Sequence, residues 1–193
     1  MTKIAIVTGS IRPGRQSLTV ANWVKSIADQ RTDAEFEVVD IADFDLPVWN
    51  EPAQAAIRPP ESEVGQRWSA KMAEFDGYVF VVSEYNHSIS GALKNALDYL
   101  KPELQNKAAG FVSYGAASGA RAVEHLRAIL SEMEVAHVRN SVLISLFTDF
   151  KDFTVFEPTP PVVDSVMPML DQLVVWTRAM QTVRTGDLVG ADA

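Results

Sequence analysis

The sequence predicts a three-layer, doubly wound α/β fold built on five parallel strands. Short apolar runs bounded by turn residues alternate with longer segments of helical spacing, which is the order expected for repeated βαβ units. The first, third and fourth of these runs are apolar throughout rather than alternating. Such runs are typical of parallel strands covered by helices on both faces.

The elements follow from these patterns in chain order. Strands are predicted at 3–8 (KIAIVT), 35–40 (EFEVVD), 77–83 (GYVFVVS), 108–114 (AAGFVSY) and 136–144 (AHVRNSVLI). Helices are predicted at 17–30, 62–75, 91–101 and 118–133, with a last one within 162–184. Pro168 lies inside that last pattern, so the helix is expected either to start near Ser165 or to be kinked at the proline.

Two connections are longer than a link between elements requires. Residues 41–60 and 145–161 are rich in proline and aromatic residues. Loops of this length in compact domains are either lids or partner surfaces, or they are poorly ordered loops and covers for a sheet edge. The sequence leaves both interpretations open.

The composition and charge of the chain exclude several classes of protein. A chain of 193 residues that is 47% hydrophobic predicts one domain over 1–193, and a net charge of −8 argues against binding to nucleic acid. The absence of cysteine excludes disulfides and thiolate-held metals. No apolar run reaches the roughly 20 residues of a membrane span, and the first strand leaves no room for a signal peptide. We therefore expect a cytoplasmic protein without membrane contact.

Three loops are predicted to share one crevice. In an open α/β sheet, ligands bind outside the carboxyl ends of the strands, where the strand order reverses. In the order 2-1-3-4-5, the first, third and fourth strands are neighbours. Their following loops are GSIRPGRQS, EYNHSISG and GAASGA, and each is rich in glycine, serine or asparagine.

The first loop has the features of an anion site. Gly9 permits a tight exit from the strand, Ser10 and Ser17 carry hydroxyls, and Arg12 carries a charged fork beside a helix N-terminus. Arg15 and Gln16 stand where the nucleotide-binding pattern GxxxxGK[ST] needs lysine and then serine or threonine. The dinucleotide-binding fingerprint GxGxxG is also absent. The remaining candidate for the anion at this site is a terminal monophosphate. The alternative is that Ser17 is an ordinary N-cap.

The second and third loops suit a flat ring. Tyr85 offers an aromatic wall, and Asn86 can both donate and accept hydrogen bonds. The alternative is a turn capped by Asn86, with Ser90 starting the next helix. The third loop is small enough for its backbone to approach a ring edge. No metal site is predicted, because the three histidines have no metal-ligand spacing. We expect His125 and His137 to be structural, whereas the role of His87 stays open.

These motifs resemble a known family, the NAD(P)H-dependent FMN reductases of the flavodoxin-like fold, which include quinone, azo and chromate reductases. GSIRPGRQS looks like the GSxR…S phosphate loop of that family, and SEYNHSISGALKNALDYL resembles its PEYNxSxPGxLKNAxD signature. The resemblance runs from residue 3 to about 133. Ser83 and Ser90 stand where the family usually has proline, which is expected to loosen the loop under the ring.

The resemblance implies a set of FMN-binding residues. For the phosphate these are Ser10, Arg12, Gln16, Ser17 and Leu18; for the ring they are Ser83, Glu84, Tyr85 and Asn86, with Ser113 and Gly115 at its edge. It also implies NADPH or NADH as hydride donor, a small-molecule electron acceptor, and a homodimer or homotetramer. No catalytic side chain is predicted, because the flavin carries the redox chemistry. Arg12 or Arg15 is a hypothesis for the phosphate of the nicotinamide nucleotide.

Two other functions remain open at this point. A flavodoxin-type electron carrier would cycle one electron and would not oxidise NADPH directly. A kinase with a P-loop would bind Mg-ATP, although the lysine and serine of that motif are missing.

Overall fold

The structure is a computed structural model that describes residues 1–186; the end of the predicted domain, residues 187–193, lies outside the described residues. The strands are β1 (Thr2–Thr8), β2 (Ala34–Val39), β3 (Gly77–Ser83), β4 (Ala108–Gly115), β5 (Ala136–Ser145), β6 (Phe150–Lys151) and β7 (Val155–Phe156). The helices are α1 (Ser17–Ala28), α2 (Glu63–Ala73), α3 (Gly91–Asp98), α4 (Ala120–Glu132) and α5 (Pro160–Thr185). A 3-10 helix covers Ile41–Phe44.

The main sheet confirms the predicted topology. Its strands pair in parallel in the order β2-β1-β3-β4-β5. Every residue of β3 and β4 is buried, which explains why their sequences are apolar without alternation. The carboxyl ends of β1, β3 and β4 consequently lie side by side at one edge of the sheet.

Two apolar clusters hold the helices against the sheet. One face is covered by α2, α3 and α4, through residues such as Trp68, Leu93 and Leu126. The other face is covered by α1 and α5, through residues such as Val24 and Leu170. Burial of these side chains on both faces supplies the main driving force for the three-layer arrangement.

The two long connections are packed rather than loose. In the first, the Trp49 ring packs edge-on against Tyr99 at 4.8 Å, and its backbone N–H donates to Asn95 Oδ1 at 2.8 Å. In the second, β6 and β7 form a small antiparallel hairpin that the sequence did not predict. This hairpin packs on the core through its own rings, since Phe156 contacts Trp23 of α1 and Phe150 contacts Tyr114 of β4.

The last helix starts earlier than predicted. It begins at Pro160, with Thr159 as N-cap, so the expectation of a start near Ser165 is wrong. Prolines fit the first turn of a helix because the N–H groups there have no partner inside the helix. Pro168 lies within the helix on an exposed face, where water can satisfy the carbonyl that the proline leaves unpaired. Within residues 1–186, no helix combines the length and apolar character that a membrane span requires.

Candidate functional site

The three predicted loops meet at the carboxyl edge of the sheet. The hydroxyl of Ser10, in the loop after β1, lies 3.2 Å from the hydroxyl of Tyr85, in the loop after β3. The backbone N–H of Glu84 donates to the carbonyl of Tyr114 at 3.0 Å, which joins the loop after β3 to β4. The loops that the sequence predicted to share a crevice are thus joined by direct hydrogen bonds.

Two serines fasten the loop after β3 to the end of β1. The Ser90 hydroxyl donates to the carbonyl of Gly9 at 2.6 Å, and the Ser83 hydroxyl donates to the same carbonyl at 3.4 Å. Ser90 is also the N-cap of α3, as the sequence suggested, and accepts from the Leu93 N–H at 3.0 Å. These are the two positions at which the family usually has proline, so hydrogen bonds provide here a restraint that fixed φ angles would provide elsewhere.

We expect Ser90→Ala to lower the free energy of unfolding by about 2 kcal/mol, because it removes a helix cap and a short buried hydrogen bond. Ser83→Ala removes only the longer bond and should cost less than about 1 kcal/mol. Urea unfolding of both variants, with Ser90→Thr as a control that keeps the hydroxyl, checks this difference. Equal losses for Ser83→Ala and Ser90→Ala would show that the carbonyl of Gly9 does not depend on Ser90.

The loop after β1 leaves an uncapped helix terminus beside a free cation. Gln16 occupies the N-cap position of α1, yet its side chain makes no capping hydrogen bond and instead donates to the Thr154 carbonyl at 2.8 Å. Ser17 is the first residue of α1 rather than its N-cap, and its hydroxyl donates to the carbonyl of Ser10 at 3.4 Å. Arg12 is exposed, and no carboxylate of residues 1–186 pairs with it. Leu18 follows in the first turn of α1 and is half-buried.

Arg15 differs from Arg12 in its surroundings. Its guanidinium forms an ion pair with Asp40, a carboxylate whose side chain is only 7% exposed. Asp40 also accepts from the Thr8 hydroxyl at 2.7 Å and caps the 3-10 helix through the Ala42 N–H. Arg15 therefore fastens the first loop to the end of β2, and Arg12 is the arginine of this loop that stays available for an anion.

The loop after β3 has a tight, strained turn. The backbones of Tyr85 and Ser88 bond each other in both directions, and the two residues between them have φ angles of 49° at Asn86 and 74° at His87. Positive φ angles are unfavourable for residues with a Cβ atom and cluster at functional sites. Within residues 1–186, the Asn86 side chain makes no hydrogen bond that caps this turn, and both turn residues are exposed. Their position agrees with a loop shaped to receive a ligand.

The loop after β4 comes close to the one after β3. A Cβ atom at Gly115 would lie 3.0 Å from the Cβ of Glu84, so a larger residue at this position would push the two loops apart. Ser113 is buried, and its hydroxyl donates to the Ser118 carbonyl at 2.8 Å, which closes the turn before α4. Small residues here therefore let backbone groups approach whatever the crevice holds.

Glu84 carries an unused acceptor within this cluster. Its Oε1 pairs with the guanidinium of Arg121 in the first turn of α4. Its side chain is only 4% exposed, and Oε2 has no hydrogen-bond partner among the described residues. A buried carboxylate oxygen without a partner costs free energy, so a ligand that donates a hydrogen bond would be favoured there. The pairing with Arg121 gave no signal in the sequence, because the two residues are 37 positions apart.

Tyr114 is a second residue that the sequence analysis missed. Burial raises the pKa of its hydroxyl to about 12, although hydrogen bonds with Ser83 and Ser17 act in the opposite direction. Its hydroxyl stays protonated at neutral pH and joins the last residue of β3 to the first turn of α1. The sequence feature that could have identified Tyr114 is its position in β4, one residue before the end of the strand and on the face toward α1.

The contacts of His125 and His137 agree with structural roles, whereas the role of His87 stays open. The rings of His87 and His125 lie 5.7 Å apart, and His125 Nδ1 is 3.0 Å from the Ser88 hydroxyl. His137 lies in β5, where burial and the neighbouring charge of Arg127 lower the pKa of its ring. Within the described part of the chain, no group of three histidine or carboxylate residues is placed to hold a metal ion.

Known proteins share these sequence and fold features. Residues 2–149 match the family described as NADPH-dependent FMN reductase. An NAD(P)H-dependent FMN reductase of Nectria is 39% identical over 158 residues, which cover 77% of this chain and 79% of that protein. A 2-hydroxy-1,4-benzoquinone reductase of Burkholderia is 32% identical over 140 residues, 69% of this chain and 72% of that protein.

Solved structures agree at the level of the fold. The flavoenzyme FerB of Paracoccus denitrificans, an NAD(P)H:acceptor oxidoreductase, superimposes with a TM-score of 0.72 at 19% identity. The match covers 93% of this chain and 99% of FerB. At this identity the likeness shows a shared flavodoxin-like fold, while the family match spans most of the sequence. The chain therefore belongs to the NADPH-dependent FMN reductase family.

Proposed function

We propose that the chain forms a single FMN-binding domain that takes hydride from NADPH or NADH and passes the electrons to a small-molecule acceptor such as a quinone. The names of the Nectria and Burkholderia relatives support the donor and the acceptor class. We call the loop after β1 the anion loop and the loops after β3 and β4 the ring loops. The observation that carries the proposal is the 3.2 Å contact between Ser10 and Tyr85, because it joins the anion loop to the first of the ring loops.

The anion loop fits the terminal phosphate of FMN. The uncapped N–H groups of α1 and the positive end of its dipole favour a negative charge. Arg12 can supply a charge-assisted hydrogen bond without first breaking an ion pair. Ser10 lies in the same loop, and Gln16 and Ser17 follow at the start of α1. The Gln16 amide has a second N–H beside the one bonded to the Thr154 carbonyl, and the Ser17 hydroxyl would turn from the Ser10 carbonyl to the phosphate.

The ring loops fit the flat head of the same molecule. The backbone of Ser83–Asn86 and that of Ser113–Gly115 run next to each other, joined by the bond from Glu84 N–H to Tyr114 O. Flavin rings carry both N–H and carbonyl groups, and the free Oε2 of Glu84 offers an acceptor while backbone N–H groups offer donors. Tyr85 is half-buried and can form one wall, with the other ring face open to substrates.

The chemistry divides between cofactor and chain. When bound, FMN supplies hydride acceptance from the nicotinamide and electron transfer to the acceptor. The chain holds the ring in place, leaves one side accessible, and directs backbone N–H groups toward the region where negative charge develops. No side-chain acid or base is required for this exchange, because the flavin carries the redox chemistry.

A kinase is not favoured by the geometry. Arg15 occupies the position of the P-loop lysine, but it is held by Asp40 and so is not free to reach a nucleotide phosphate. A flavodoxin-type carrier shares the fold and the cofactor, so the reaction with the donor has to distinguish it from a reductase.

A spectrum recorded without oxygen makes that distinction. We expect the FMN-loaded protein to be yellow, to bleach on addition of NADPH or NADH, and to recover its colour when a quinone is added. A protein that binds FMN but is not bleached by either nucleotide is a carrier, and a protein that cannot be loaded with FMN refutes the proposal.

We also propose a cytoplasmic homodimer or homotetramer with α3 near the subunit boundary. The support is an open groove between α3, α4 and the connection at 41–60, lined by apolar residues that include Leu97, Leu100 and Ile129. Leu97 and Leu100 are nearly buried at the floor of this groove, and charged residues such as Lys94 and Asp98 stand at its rim. An apolar centre with a polar rim is typical of subunit contacts.

A further inference from the structure

The segment after β5 lies against both ends of the proposed FMN site. Near its start, the Leu146 N–H donates to the carbonyl of Gly115 at 3.2 Å, in the loop assigned to the ring edge. Near its end, the Thr154 carbonyl accepts from Gln16 at 2.8 Å, in the loop assigned to the phosphate. The residues between these two bonds consequently form part of the rim of the site.

Two phenylalanines stand exposed on this segment. The ring of Phe147 is 66% exposed and that of Phe153 is 59% exposed. The rings contact each other edge to face, with centroids 5.8 Å apart and planes at 83°. Single exposed apolar residues are common, but an exposed aromatic pair beside a binding site marks an interaction surface. We call Phe147 and Phe153 the aromatic pair.

The chain adopts a strained backbone to present this pair. Residues 151–154 form a tight turn in which the Thr154 N–H donates to the Lys151 carbonyl at 3.1 Å. Asp152 and Phe153 in this turn have φ angles of 51° and 58°. Turns of this kind strongly favour glycine at the second of these positions. A bulky residue with positive φ is unusual and points to a function for its side chain.

The base of the segment is firmly anchored. The buried carboxylate of Asp149 accepts from the backbone N–H of Ser145 at 2.9 Å and from the Thr159 N–H at 2.9 Å and hydroxyl at 2.7 Å. Burial alone would raise the pKa of Asp149, but these hydrogen bonds outweigh it and lower the pKa. The carboxylate therefore stays ionised at neutral pH, and the rim that carries the aromatic pair has a fixed position.

We infer that the aromatic pair binds the adenine ring of the NADPH or NADH donor, an inference that rests on the proposed function. A quinone must reach the flavin itself to be reduced, so it has no need of a second aromatic surface. A nicotinamide dinucleotide has two rings, and when its nicotinamide lies on the flavin its adenine must lie elsewhere on the protein. Bases stack readily on aromatic side chains.

The test compares two donors of different length. Reduced nicotinamide mononucleotide carries the same hydride but lacks the adenosine part. In Phe153→Gly, which suits the positive φ angle, and in Phe147→Ala, we expect KM for NADH or NADPH to rise about tenfold. KM for the mononucleotide, KM for the quinone and FMN content should not change. Val155→Ala, which shortens another exposed residue of the same hairpin, is the matched control.

Each outcome decides the inference. An unchanged dinucleotide KM in both phenylalanine variants, or an equal rise for both donors, overturns it while leaving the proposed function intact. A wild-type protein that is loaded with FMN but oxidises neither donor overturns the proposed function, and the inference fails with it.

Discussion

Replacing Arg12 with alanine should weaken FMN binding by a factor of about 10 to 100. Arg12 is the exposed arginine of the anion loop, its guanidinium lies 6.0 Å from the centre of the Tyr85 ring, and Asp40 neutralises its neighbour Arg15 instead. A hydrogen bond between a charged donor and a phosphate contributes about 1.5 to 3 kcal/mol. The change is measured as the dissociation constant of FMN by quenching of its fluorescence.

Riboflavin provides the control for this prediction, because it has the same ring and lacks the phosphate. Arg12→Ala should leave its affinity unchanged, so the ratio of FMN to riboflavin affinity should fall. Arg12→Lys keeps the charge but loses the planar fork, and we expect an intermediate loss. An equal loss of affinity for FMN and riboflavin would mean that Arg12 supports the loop rather than binding the phosphate.

Replacing Gly9 with alanine should lower the free energy of unfolding by about 3 kcal/mol and abolish tight FMN binding. A Cβ atom at this position would lie well under 3.0 Å from the Val81 carbonyl oxygen, which belongs to the neighbouring strand β3. Because the backbone fixes the positions of both the Cβ atom and the carbonyl oxygen, no side-chain rotation can relieve the clash. The strands would have to separate where the Gly9 carbonyl accepts from Ser90.

Gly91→Ala is the matched control. A Cβ atom there meets nothing within 4 Å, and the residue opens α3, so the substitution should be neutral or slightly stabilising. Urea unfolding and FMN titration of both variants check the prediction. A Gly9→Ala protein as stable as Gly91→Ala would show that β1 and β3 are not packed as closely as described.

The sequence was sufficient to predict the sheet and the convergence of the three loops. An apolar run such as GYVFVVS fits a parallel strand that helices cover on both faces. The order of the strands in the sheet then determines which carboxyl ends are neighbours. The contact between Ser10 and Tyr85 follows from that topology. The topology does not predict that Arg12 is exposed. It also does not predict that the Gln16 side chain donates to the carbonyl of Thr154.

The structural features that the sequence did not predict depend on contacts between distant parts of the chain. Whether Arg15 or Arg12 is free depends on Asp40, at the end of a different strand. The hairpin of β6 and β7 lacks the glycine that signals such a turn, because Phe153 takes the position instead. The sequence prediction places Pro168 either in the first turn of the last helix or at a kink, whereas Pro160 is the proline that lies in the first turn of α5.

A crystal structure of the FMN complex tests the central claim, that the loops after β1, β3 and β4 form one flavin site. The phosphate should lie at the N-terminus of α1 within hydrogen-bond distance of Arg12 and Ser17, and the ring should lie against the backbone of 83–86 and 113–115. A phosphate bound elsewhere, or a ring outside the loops after β3 and β4, would contradict the account.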